Sequence, residues 1–145
     1  MAPETHDVEP YLPGDHELRS ILGRAKTVAI VGLSSDPAKY SYEVGSYLQK
    51  HGYRVIPVNP YETEALGEKA YPSLLEVPDQ VDAVDVFRKA EATPEIARQA
   101  VQIGAEVLWL QDDIVNDEAR MIAEDAGLDV VMGVCIKVTH RRLGV

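Results

Sequence analysis

VAIVGLSSDPAK, Val28–Lys39, carries the pattern from which the architecture follows. The apolar run Val28–Val31 enters a single glycine, Gly32, and is followed by Ser34, Ser35 and an Asp-Pro pair. This is the pattern of a strand buried on both faces that ends in a polar turn ahead of a helix. Such a turn holds a phosphate when its backbone N–H groups and the start of the next helix face one point. The spaced glycines of a dinucleotide fingerprint are absent, so the turn alone does not name its ligand.

The same phrase recurs downstream. Gly52 leads into YRVIPV, Gly104 into AEVLWL and Gly127 into LDVVM. Glycine past a helix suits the left-handed cap conformation, and the β-branched runs after it suit buried strands. The helix starts match. Ser41 is expected to cap a helix carrying Val44, Tyr47 and Leu48, and Thr93-Pro94-Glu95 opens one carrying Ile96, Ala100 and Val101. Asn116, followed by Asp117 and Glu118, opens a third carrying Ala119, Ile122, Ala123 and Ala126.

With Thr27–Val31 as the first strand and Ala83–Phe87 as another, these units form repeated β-α crossovers. Right-handed crossovers give a three-layer α/β, Rossmann-like domain, a mainly parallel sheet with helices on both faces. Glu62–Pro78 is too broken for a helix and is expected to hold a short strand and turns. Residues 15–145 read as one domain. Residues 1–14, rich in acids and prolines, read as a loosely held arm.

A net charge of −10, from 14 basic and 24 acidic residues, argues against nonspecific binding to nucleic acid or to anionic membrane. The single cysteine, Cys135, has no partner for an internal disulfide, and neither a signal peptide nor a membrane-spanning run is evident, so a cytoplasmic location is expected.

Ligands of open parallel sheets bind outside the carboxyl ends of the strands. The residues there are Gly32–Lys39, Asn59–Tyr61, Arg88 and Lys89, Gln111–Asp113 and Gly133–Lys137. Gly32, Ser34, Ser35 and Lys39 suit a phosphate, and suit a plain polar turn equally. An NAD site places an acid at the end of the second strand, roughly 20 residues beyond its glycines, to bond the ribose; here Val58 runs into Asn59 and Pro60. That disfavours NAD and leaves room for a nucleotide with a phosphorylated ribose. Arg88 can pair bidentately with a phosphate or join a surface ion pair. Trp109 reads as core, and Gln111 is placed to touch a ligand. His6, His16 and His51 complete no catalytic or metal-binding set, and Cys135 with His140 reads as core rather than as a nucleophile and base. The expectation is a binder, with no catalytic residue and no metal.

Taken in order, VAIVGLSSDPAKYS, GYRVIPVNP, LGEKAYPSL, VDAVDVFRKAE, VLWLQ and VCIKVTHRRL resemble the small CoA-binding proteins. These are single-domain relatives of the CoA-binding N-terminal domain of the succinyl-CoA synthetase α subunit. The resemblance spans roughly Leu18–Leu143 and implies coenzyme A or an acyl-CoA as the ligand. It implies that Gly32, Ser34, Ser35 and Lys39 cradle the phosphates, with Ser41 at the helix start. Val58, Asn59 and Pro60 would flank the nucleotide, and Arg88 would approach the pantetheine or phosphate. Gln111, Cys135 and Lys137 complete the expected set.

The chain departs from that family pattern at the later strand ends. Gly133-Val134 stands before Cys135 where relatives usually carry an acid or amide and then arginine. Asp112-Asp113-Ile114-Val115 replaces a small or glycine-containing turn, and Thr139 replaces a glutamate. These changes are expected to lie together at the pocket mouth and to weaken CoA binding by adding acids and removing a base. The alternative they suggest is a protein-interaction module, natural or engineered, with Asp112–Val115 and Gly133–Val134 as its contact surface.

Overall fold

Residues 9–145 are described by the computed structural model; the first eight residues of the expected arm, His6 among them, lie outside these. Within the described part, Tyr11 is held against the domain. Its N–H donates to Met132 O at 2.9 Å, its carbonyl accepts from Met132 N at 2.7 Å, and its hydroxyl donates to Glu124 at 2.5 Å.

Helix α1, Asp15–Arg24, precedes the first repeat, β1 Thr27–Val31, α2 Tyr40–Lys50 and β2 Arg54–Val58. A hairpin comes next, β3 Glu64–Ala65 and β4 Glu68–Lys69, in the segment expected to hold a short strand and turns. The remaining elements are β5 Ala83–Val86, α3 Thr93–Gln102, β6 Val107–Leu110, α4 Asp117–Asp125, β7 Asp129–Met132 and α5 Ile136–Leu143. The main sheet has the order β2-β1-β5-β6-β7, every pair parallel. This is the expected three-layer α/β architecture.

Strand faces alternate between two cores. Val28 and Ile30 pack with Leu18, Ile21, Val44, Leu48 and Ile136 on the side of α1, α2 and α5. Ala29 and Val31 pack with Ala97, Ala100, Ala119 and Ala123 beneath α3 and α4. Alanines on those two helices let them sit close to the sheet. Trp109 is fully buried on the first face, as its apolar surroundings suggest, and its Nε1 donates to Val134 O at 2.8 Å.

The punctuation is mostly as the sequence reads. Gly52, Gly104 and Gly127 have φ of +93°, +78° and +90°. Asn116 caps α4 by accepting from Ala119 N at 2.9 Å. Ser41 is the exception. Helix α2 begins two residues earlier than a Ser41 cap would give, at Tyr40 with Lys39 as its cap residue, and Ser41 lies buried inside the first turn. Its hydroxyl turns back to accept from Ser34 N at 3.0 Å. The hairpin turn Leu66-Gly67 has φ of +55° and +78°, the primed geometry that matches strand twist. Leucine is ill suited to it. Packing holds it there: a Cβ on Gly45 would lie 2.7 Å from Leu66 Cδ1, so glycine makes the space.

Strand register sets which residues line the carboxyl edge. Val58, Val31, Val86, Leu110 and Met132 lie level across the sheet. The next residues, Asn59, Gly32, Phe87, Gln111 and Gly133, therefore form one row along that edge. The chain leaves β1 toward β2 on one side and reaches β5 on the other, so the strand order reverses at Gly32, where open sheets bind ligands.

Candidate functional site

Gly32 stands at the reversal with φ +93°, and its N–H donates to Val58 O at 2.8 Å. A Cβ there would lie 2.6 Å from Phe87 O and 3.2 Å from Arg88 Cδ. Glycine is thus what allows the β1 and β5 ends to touch and Arg88 to emerge beside them.

Arg88 borders three clefts. One, of about 410 Å³, is lined by Gly32, Asn59, Tyr61, Phe87, Arg88, Lys89 and Ala92. A second, of about 320 Å³, runs over the α3 face past Val58, Pro60, Pro72 and Gln99. The third, of about 340 Å³, lies between Tyr40, Phe87, Arg88, Gln111 and Ile114. Gly32, Val58, Asn59, Pro60, Arg88 and Gln111 are therefore brought together, as the strand-end rule expects. Lys39, Arg88 and Lys89 form no ion pair among the described residues, so the surface-pair reading of Arg88 does not apply.

The polar turn after Gly32 is satisfied from within. Ser34 Oγ accepts from Asp36 N at 3.0 Å, Asp36 Oδ1 accepts from Ala38 N at 2.9 Å, and Glu62 Oε2 accepts from Ser35 N at 3.0 Å. The hydrogen bonds from Ser35, side chain first and backbone second, hold the Glu62 carboxyl below its ordinary pKa. An anion already occupies the place expected of a phosphate at Ser35. Asn59 is also engaged: Nδ2 donates to Leu33 O at 3.0 Å and Oδ1 accepts from Tyr61 N at 2.9 Å.

Other expected residues lie apart from the clefts. Lys137, on α5, pairs with Glu43 of α2. Cys135 is the buried cap residue of α5, its Sγ 2.9 Å from the Tyr40 hydroxyl. Burial first, then the hydrogen bond with Cys135, raises the Tyr40 pKa. His140 faces Tyr47, its Nδ1 2.8 Å from that hydroxyl.

Sequence reasoning passed over Asp85. It lies on β5 between Ile30 and Trp109 and is completely buried. Desolvation first, then the charge of Asp112, raises its pKa well above the ordinary carboxyl value, which favours the neutral form. Both of its oxygens and Gln111 Nε2 are the buried side-chain polar atoms without a partner among the described residues. Gln111 Oε1 is used, accepting from Ile136 N at 3.1 Å. An acid at an inward position of a buried strand was the available signal.

The departures do not all gather at the mouth. Asp112 and Ile114 line the third cleft. Ile114, Val115 and Val134 are half-buried against the two cores rather than forming an exposed apolar patch. Thr139 is buried in α5, its hydroxyl donating to Cys135 O at 2.9 Å, because the last segment is a helix packed on the sheet. No helix among the described residues is long and apolar enough to cross a membrane.

A family model described as a CoA binding domain matches residues 26–141. The uncharacterized protein YneT of Bacillus subtilis is 43% identical over 128 residues, which cover 88% of this chain and 95% of YneT. An ADP-forming acetate–CoA ligase II of Archaeoglobus fulgidus is 33% identical over 101 residues, 68% of this chain but 15% of the ligase. A solved structure, a hypothetical protein from Pyrococcus horikoshii OT3, superposes with a TM-score of 0.89 at 43% identity, covering 92% of this chain and 94% of that one.

Proposed function

The chain belongs to the CoA-binding domain family, and from that premise we propose that it binds coenzyme A along the carboxyl edge of the sheet and carries it without transforming it. The observation that supports this reading most directly is the cleft where Gly32, Asn59, Arg88 and Lys89 meet, with two cations that no carboxylate of the described residues neutralises. CoA is an elongated polyanion, and three clefts that share Arg88 suit an elongated ligand whose phosphates need a central charge. The carrier role is supported by Cys135 facing the Tyr40 hydroxyl while His140 faces Tyr47, so the thiol and this imidazole do not form a nucleophile–base pair.

Calorimetric titration tests this. CoA is expected to bind with micromolar affinity and NAD to give no heat; absence of CoA binding would overturn the reading. Arg88→Ala is expected to weaken CoA by about tenfold, the size of a charge-assisted hydrogen-bond pair, and to make the affinity less sensitive to salt. An unchanged salt dependence would remove Arg88 from the phosphate site.

Glu62 gives a prediction of the opposite sign. Because its carboxylate sits on Ser35 N, it opposes any phosphate entering the turn. Glu62→Gln keeps an acceptor for Ser35 and discards the charge. It is expected to tighten CoA binding several-fold at low ionic strength and to do less at high salt. Weaker binding in this variant would show that the phosphates lie elsewhere.

A further inference from the structure

The amino end of the sheet, opposite the proposed site, carries its own group of titratable side chains. Tyr47 and His51 of α2 stack with ring centroids 4.0 Å apart, and His140 of α5 meets them edge-on, 5.4 Å from Tyr47 and 5.2 Å from His51. Tyr53 closes the group at 5.7 Å from the same imidazole. His140 Nδ1 lies 2.8 Å from the Tyr47 hydroxyl, and His51 Nδ1 lies 2.8 Å from Tyr47 O. Both histidines line a cleft of about 190 Å³ together with Lys26, Gly52 and Tyr53, through which water reaches the pair.

A positive charge is poorly placed on His140. The residue is 4% exposed, and neither imidazole pairs with a carboxylate among the described residues. The groups around it are Tyr47 and His51 from α2, Tyr53 ahead of β2, Lys26 ahead of β1, and Lys137 of α5, whose Nζ stands 5.7 Å over the Tyr47 ring. The acids that α1 and α2 bring to α5 are engaged elsewhere, Asp15 with Arg142 and Glu43 with Lys137. The last turn of a helix favours a cation, and His140 stands in that turn. Loss of water outweighs this: burial first, then the charge of His51, lowers the His140 pKa. The sign is that of a depressed base. The stability held here is whole above about pH 6.5, the ordinary imidazole value, and is lost as pH falls toward the lowered one.

Helix α5 joins this cluster to the carboxyl edge. Its first residue, Ile136, donates its N–H to Gln111 Oε1 at 3.1 Å, and in its last turn the His140 carbonyl accepts from Gly144 N at 3.1 Å. A helix of eight residues spans about 12 Å, most of the height of the sheet. We propose that His51 and His140 form an acid-operated latch: neutral rings hold α5 against α2, and protonation drives His140 toward water and lifts α5 as a unit, loosening its contact with Gln111 at the far end. A fall in pH at the amino end is thereby transmitted to the third cleft, which Gln111 lines. The latch stands whether or not that edge takes CoA.

The test is two-dimensional NMR of the full chain between about pH 8 and pH 5, following the imidazole carbons and the backbone amides. The His140 ring is expected to titrate below the ordinary imidazole value. The amide signals of Gly144 and Ile136 are expected to move with that same midpoint, while those of Val28 and Val84 in the central strands stay in place. His51→Gln, at an exposed position, removes the facing charge and should shift the His140 midpoint to higher pH. His140→Gln keeps a hydrogen-bonding group for Tyr47 and should leave the Gly144 and Ile136 signals flat across the range. A His140 midpoint at or above the ordinary value overturns the latch, as does a midpoint that His51→Gln leaves unchanged. An Ile136 signal that stays in place while Gly144 moves also overturns it, since α5 then does not respond as a unit. The unsubstituted protein and the His51 variant decide the matter even if His140→Gln does not fold. Local signals are read rather than global stability because the buried Asp85 carboxyl contributes there with the opposite sign.

Discussion

Asp85→Asn should flatten a loss of stability that the unsubstituted protein shows as pH rises above about 4, the ordinary carboxyl range. The sign comes from burial. Folding raises the Asp85 pKa, first by desolvation and then through Asp112, so the unfolded chain gives up this proton at lower pH than the folded one. Between the two titrations the unfolded state binds fewer protons, and rising pH favours unfolding by about 1.4 kcal/mol per pH unit. The contribution of Asp85 is therefore fully present below the unfolded value and is lost as pH climbs toward the folded one. Asparagine keeps the shape and has no proton to lose. Urea unfolding at intervals from acid to neutral pH should give diverging curves for the two proteins, with the variant gaining on the parent at each step. Parallel curves would mean that Asp85 is ionised in the folded state, contrary to its surroundings.

Gly32→Ala is the second large effect, a loss of about 3 kcal/mol in stability. It combines a left-handed backbone cost of roughly 1 to 2 kcal/mol with a steric overlap of about 1 to 3 kcal/mol. Gly32 has φ +93°, and its Cβ would lie 2.6 Å from a backbone oxygen that cannot swing away. Gly52 provides the control, because it shares the φ of +93° while nothing lies within 4 Å of its Cβ position. Gly52→Ala should show the conformational cost alone. Equal losses at the two sites, measured by denaturant unfolding, would show that the ends of β1 and β5 do not press together.

The contrast between these glycines shows what the sequence discloses. Gly52, Gly104 and Gly127 were legible because each sits between an amphipathic run and a β-branched one, a local pattern that fixes a helix end. Strand ends were legible for the same reason, and parallel register then carried Gly32, Asn59 and Arg88 to one cleft. What was hidden depends on contacts between distant segments. Glu62 reaches the backbone of Ser35 from the far side of β2, and no spacing announces it. Ser41 carries the residue type of a helix cap, yet the helix starts at Tyr40 and the hydroxyl serves Ser34 instead. Thr139 reads as a surface change until α5 folds down over the first core. Asp85 drew no notice within its strand, yet its sheet is covered on both faces and leaves it without water.

Level strand ends also bear on how proteins with this core can diverge. One layer of side chains, Val58, Val31, Val86, Leu110 and Met132, seals the interior, and the layer just outside it forms the edge where we propose the ligand binds. Exchanging side chains in the outer layer can retune recognition while the inner one stays intact. Gly32 does not enjoy that freedom, since its lack of a side chain serves both layers at once.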